Sequence, residues 1–179
     1  EADRGQSPVR IMEKCMSHIL GKKTPDYYRE YYSLTSEGEV HEVQAKLQIA
    51  AWMGVIDTPD LDAVEVRRKQ KNDSIKAKLA KGEIVYGLTH YTPSMYLQYE
   101  LTRFKLDFTV YKGEKVGTYP YQEFTEEEKR AFYENNPDLF TRYFGDSFGY
   151  EEVCMIIEKR LKEKEYESIV QDLLCKYEV

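Results

Sequence analysis

No apolar run in this chain approaches the ~20 residues that a membrane-spanning helix needs, so no stretch of it reads as one. Cysteine is scarce: Cys15, Cys154 and Cys175 are an odd number with no CxxC pair. That excludes a dense disulfide framework and a zinc site built from cysteine alone. Cys154 and Cys175 fall 21 residues apart on the terminal predicted helix. At ~1.5 Å per residue they cannot bridge along a straight helix, and free buried thiols are the expectation. The three histidines, His18, His41 and His90, stand in separate segments, and His41-Glu42 lacks the second histidine of HExxH. GxSxG, the P-loop and GxGxxG are all missing. No catalytic residue, metal ligand or cofactor is assigned on these grounds. Positive charge is not in excess either: a net charge of -6 and a pI near 5.3 argue against nucleic acid as the main partner.

What the chain does have is length for a real core, a 41% hydrophobic share, and sixteen tyrosines among its 179 residues. Tyrosine is amphipathic, so it fills cores where its hydroxyl finds a partner and is enriched at binding surfaces. Residues 1–8 are polar and are expected to form a disordered end, leaving 9–179 as a single helical domain. The first residue is Glu1, not Met, which is compatible with a cut-away upstream segment and a membrane tether there.

The spacing predicts a mainly α fold with at most short strands. Residues 9–20 read as a short helix, and Thr24-Pro25 as a cap and first-turn proline for the next. Residues 40–55 read as a helix carrying Val43, Leu47 and the one tryptophan, Trp52. Thr58-Pro59 opens a helix closed by Gly82, and Ile84-Val85-Tyr86 reads as strand-like. After Thr92-Pro93, Leu97, Leu101, Phe104, Phe108 and Tyr111 form a heptad stripe. Thr125 and Glu128 make a capping box for a short helix that Asn136-Pro137 stops. The long terminal helix carries Val153, Ile156, Ile157 and Leu161, then a step of five to Tyr166; there the helix either turns its face or breaks. The three Thr-Pro pairs are spaced by 34 residues, the tetratricopeptide period. That register puts Lys69 and Lys81 where paired helices need small residues, so three ordinary helix starts explain it better.

Two surfaces are candidates for binding. Residues 67–81 are basic, and Arg67, Arg68 and Lys69 are the candidates for an anionic partner, against the plainer reading of a solvated face. Aromatic residues crowd the stretch from Tyr91 to Tyr150. They either build the core or line a groove for an extended peptide, with Trp52, Tyr91, Tyr96, Tyr99, Phe104, Phe108, Tyr133 and Phe140 as the candidate peptide-binding set. An enzyme reading would place a scattered site around His90, Tyr91 and a carboxylate.

Three stretches carry a family resemblance. RRKQKNDSIKAKLAKGEIVYG with YTPSMYLQYELTRFKL, FTEEEKRAFYENNPDLF, and YEEVCMIIEKRLKEKEYESIVQDLL resemble the chaperone domain of bacterial foldases of the SurA and PrsA kind. The closing CKYEV resembles that domain's short terminal strand. The resemblance implies a helical, non-catalytic domain that binds unfolded or extended polypeptide. It also implies an extracytoplasmic place in the cell envelope, often membrane-anchored; the three cysteines leave the cytoplasm open, and a homodimer is compatible with it. The elbow at residues 137–149 leaves no room for the parvulin insert of such foldases, so prolyl isomerase activity is not expected.

Overall fold

The computed structural model describes residues 25–110, 122–142 and 145–175. The fold is mainly α, and among the described residues the only β pairing is an isolated antiparallel bridge between Thr141 and Ser147. The helix expected over 9–20, the cap at Thr24, Tyr111 and the terminal strand all lie outside the described residues. The described residues form two compact units divided inside one helix, between Arg103 and Phe104.

The first unit begins with α1 (Pro25–Tyr32), which buries Tyr28 and Tyr32. The Tyr32 hydroxyl donates to the Leu61 carbonyl at 2.7 Å, giving a buried ring the polar partner it requires. α1 packs against α2 (Glu37–Trp52), whose second half is buried nearly all round at Ala45, Leu47, Gln48, Ile49 and Ala50. Such burial marks a central helix, not an amphipathic surface one. Ser36 caps α2 by accepting the Glu39 N–H at 3.2 Å. α3 (Leu61–Ala80) starts later than Thr58-Pro59 suggests, because Asp60 is the better cap: its carboxylate accepts the Asp62 N–H at 2.9 Å. α4 (Pro93–Thr109) presents the expected stripe, with Leu97, Leu101, Phe104 and Phe108 all buried.

Three helix ends in this unit close in the same way. After α1, Ser33 N–H donates to Glu30 O and Leu34 N–H to Arg29 O; Gly54 and Val55, then Gly82 and Glu83, repeat that pair of bonds after α2 and α3. This is the Schellman closure, which needs a left-handed residue at its pivot. Gly54 (φ 71°) and Gly82 (φ 73°) adopt it freely, whereas Ser33 does so at φ 57°. The strand expected at Ile84–Tyr86 is open coil, because Gly82 and Gly87 (φ 91°) bend the chain on both sides and, among the described residues, no second strand stands beside it.

In the second unit the capping box of α5 (Glu126–Asn135) forms as expected, Thr125 N–H donating to Glu128 at 2.7 Å and Glu128 N–H to Thr125 at 3.2 Å. A 3-10 turn (Pro137–Phe140) follows, then α6 (Tyr150–Leu174). α6 does not break at the step of five. Its buried face runs Tyr150, Val153, Ile157, Lys162, Tyr166, Val170 and Leu173, with the Lys162 stem lying along the core where the stripe slips. Before the slip, Val153 and Ile157 pack with Phe132 and Phe140; after it, Tyr166 meets the Phe108 ring at 5.3 Å, edge to face.

Two stability changes follow from the caps. Ser33→Gly should raise stability by about 0.5–1 kcal/mol: relief of ~1–2 kcal/mol of left-handed strain exceeds the added chain entropy. Gly82→Ala, whose Cβ would meet nothing within 4 Å, should cost about 1 kcal/mol from backbone strain alone. Urea unfolding of the two variants against the parent measures both.

Candidate functional site

Along α3, Glu65, Arg68 and Asn72 recur at steps of three and four, which puts them on one helical face. Arg68 donates through Nε and Nη2 to the two Glu65 oxygens, both at 2.7 Å, and through Nη1 to the Tyr91 carbonyl at 2.7 Å. Asn72 brackets the same residue, Nδ2 donating to the Tyr91 carbonyl at 2.9 Å and Oδ1 accepting its N–H at 2.8 Å. The Tyr91 backbone is thus held by three hydrogen bonds from one helix. Beside it, Arg67 Nε and Nη2 donate to Glu100 at 2.7 and 2.8 Å, and Glu100 is only 4% exposed. This is a fork-to-fork pair, the strongest carboxylate recognition a side chain offers.

Tyrosines surround these charges. The Tyr91 ring lies 5.8 Å from Tyr96 and 5.3 Å from Tyr99, and Lys71 Nζ stands 5.4 Å from the Tyr99 centroid. Burial, then the Glu100 charge, pushes the Tyr96 hydroxyl far up, so it stays neutral. The Arg68 hydrogen bonds hold the Glu65 carboxyl below its usual range against the opposing effect of burial. Burial opposes the Arg67 charge, but the hydrogen bonds and charge of Glu100 outweigh it and raise its pKa. Both carboxylates are therefore engaged on both oxygens by arginines. A general acid needs the reverse, a carboxyl pushed upward. The carboxyls of Glu39, Glu65 and Glu126 are displaced downward. The cluster is a clamp that fastens the chain at Tyr91 to α3.

The structure brings Tyr91, Tyr96, Tyr99, Arg67 and Arg68 together here, with Lys69 more exposed at 3.6 Å from Glu65. Trp52 is half-buried, while Tyr96, Phe104, Phe108 and Phe140 are core residues. Tyr133 and Phe140 belong to the second unit, where their rings lie 5.2 Å apart and the Tyr133 hydroxyl donates to the Phe148 carbonyl at 2.6 Å. His90 is exposed. No group of described residues is arranged to hold a metal ion. Sequence reasoning missed Glu65, Asn72 and Glu100; the i,i+3 spacing of Glu65 and Arg68 was a usable signal for the first. Nothing local announces Glu100, whose partner is 33 residues away.

The chain is similar to a lacto-N-biosidase. The native crystal structure of the GH136 lacto-N-biosidase from Eubacterium ramulus superposes with a TM-score of 0.66 and 36% identity, covering 75% of this chain and 27% of that one. The selenomethionine derivative matches with the same TM-score and identity over 76% of this chain and 27% of the other. The chain thus spans about a quarter of the length of the enzyme it resembles. No family model and no curated protein matches it.

These findings correct several expectations. The resemblance to the SurA and PrsA chaperone domains does not stand, since the matching structures are those of a glycoside hydrolase. With it fall the chaperone function, the binding of unfolded polypeptide as the main activity, and the expectation of a protein without catalysis. The physical reason is that capped amphipathic helices with apolar spacings of three and four recur across unrelated helical folds; such patterns specify packing, not chemistry.

Arg67→Met should destabilise the protein by about 3 kcal/mol, because it strands a buried Glu100 charge. The double variant Arg67→Met, Glu100→Leu should recover most of that loss, and urea unfolding of the four-member cycle reads it. Because Glu65 is depressed in the folded state, its contribution is complete above the ordinary carboxylate value of 4.5 and drains away as pH falls below it. Thermal melts from pH 6 to 3 should therefore show a smaller acid loss in Glu65→Gln than in the parent.

Proposed function

We propose that the chain serves in carbohydrate cleavage, as the helical part of a glycoside hydrolase of the lacto-N-biosidase kind. The observation that carries this reading is 36% identity over three quarters of the chain, joined to a TM-score of 0.66. At that level the likeness is one of sequence as well as fold. The matched span accounts for 27% of the enzyme, and here Glu65 and Glu100 are clamped by arginines while Glu65 and Glu126 are drawn downward in pKa. In this reading the acid and base of hydrolysis therefore come from the larger portion of such an enzyme, and the helical part supports it. α2, α3 and the arginine clamp supply a rigid scaffold suited to that support.

The test replaces the matched span of the Eubacterium ramulus enzyme with this chain. Hydrolysis of a chromogenic aryl glycoside of lacto-N-biose by the chimaera is compared with that by the enzyme lacking the span. The reading expects kcat/KM at least tenfold above the deletion. A chimaera no more active than the deletion overturns it, and hydrolysis by this chain alone overturns the assignment of the acid and base to the larger portion.

A further inference from the structure

The loop between α3 and α4 is apolar where loops are ordinarily polar. Ile84 is 76% exposed and Tyr86 90%, with Leu88 at 44% and Leu79, on the last turn of α3, at 46%. An isoleucine and a tyrosine this open, two positions apart along one short loop, are an unpartnered apolar surface. The loop is also built to hold its shape. Gly82 and Gly87 bend it at left-handed φ values of 73° and 91°. Its start is fixed by the Gly82 and Glu83 N–H bonds to Leu79 and Lys78, and its end by the grip of Asn72 and Arg68 on Tyr91. A segment fastened at both ends with apolar side chains at its tip loses little freedom on binding, which favours recognition.

From this we infer that the 82–90 loop is the docking element by which this helical part seats on the catalytic portion of its glycoside hydrolase, Ile84 and Tyr86 entering an apolar recess there. The inference rests on the proposed function and adds the surface that reading lacks. Two observations select the occupant. Nearly three quarters of the enzyme that the chain resembles lies outside the matched 27%, so the matched helical span is joined there to a much larger remainder. Lys76 and Lys78 on the last turns of α3 and Lys81 at its cap are exposed, against one acid, Glu83, within residues 76–83, so the complementary surface is an apolar recess with carboxylates on its rim. The buried centre of an interface is characteristically an aromatic or aliphatic anchor, and the basic rim steers and orients it.

Oxidative footprinting of Tyr86 tests this in the chimaera described above. Its modification should be at least tenfold slower in the chimaera than in the free chain. Ile84→Asp with Tyr86→Asp should leave the melting temperature of the free chain unchanged, since both side chains face water, yet lower chimaera activity at least tenfold. A chimaera that is active while Tyr86 is modified at the free rate, or that is indifferent to the two substitutions, overturns the loop assignment and leaves the proposed function standing. A chimaera no better than the deletion overturns both. Protection of Tyr86 by vesicles containing phosphatidylserine, or by dimerisation of the free chain, without protection in the chimaera, assigns the loop to a membrane surface or a second copy and also overturns the inference.

Discussion

Much of the first unit depends on the two-point grip of Arg67 on Glu100. An arginine that is mostly covered and a carboxylate that is 4% exposed can be accommodated only together, because either alone would be a desolvated charge without a counter-ion. The pair therefore fixes α3 against the first turns of α4 in one register. Arg68, Glu65 and Asn72 extend that register along α3 and bind the Tyr91 backbone. The tyrosines around it are neutral packing partners whose hydroxyl and ring edges suit the half-polar environment. Basic residues that look like an anion-binding strip in the sequence are thus partly drawn inward.

The second unit is organised by a different constraint, the slip in the apolar face of α6. A straight helix with a continuous stripe serves one neighbour. The five-residue step from Leu161 to Tyr166 rotates the buried face without interrupting the backbone hydrogen bonds, and Lys162 fills the gap with its aliphatic stem. One helix then serves α5 and the 3-10 turn with its first half and the Phe108 end of α4 with its second.

The likeness to a glycoside hydrolase and the chemistry of the carboxylates fit together. A helical part that resembles about a quarter of an enzyme, and whose prominent acids are neutralised by arginines or held in their charged form, is suited to support and docking. The apolar tip at Ile84 and Tyr86 is held by the same clamp, and the docking proposed for it would give that support a direction. The stability of this unit, and the docking proposed for it, both rest on one set of contacts around Tyr91.

Local physics made much of the helical plan legible from residues alone. The capping box at Thr125 and Glu128, the stripe of Leu97, Leu101, Phe104 and Phe108, and the glycine closure at Gly82 each rest on interactions within a few turns, so the sequence by itself determined them. Asp60 displaced the cap expected at Thr58 by the same local rule, applied two residues later. Only the tertiary structure decided which charges were inward, because Arg67 and Glu100 are 33 residues apart and nothing in either segment names the other. It also decided that Ile84–Tyr86 is an open tip and not a strand, since a strand exists only when a second one completes its hydrogen bonds. Burial and pairing at a distance are properties of the folded chain, and the clamp around Tyr91 is made of those.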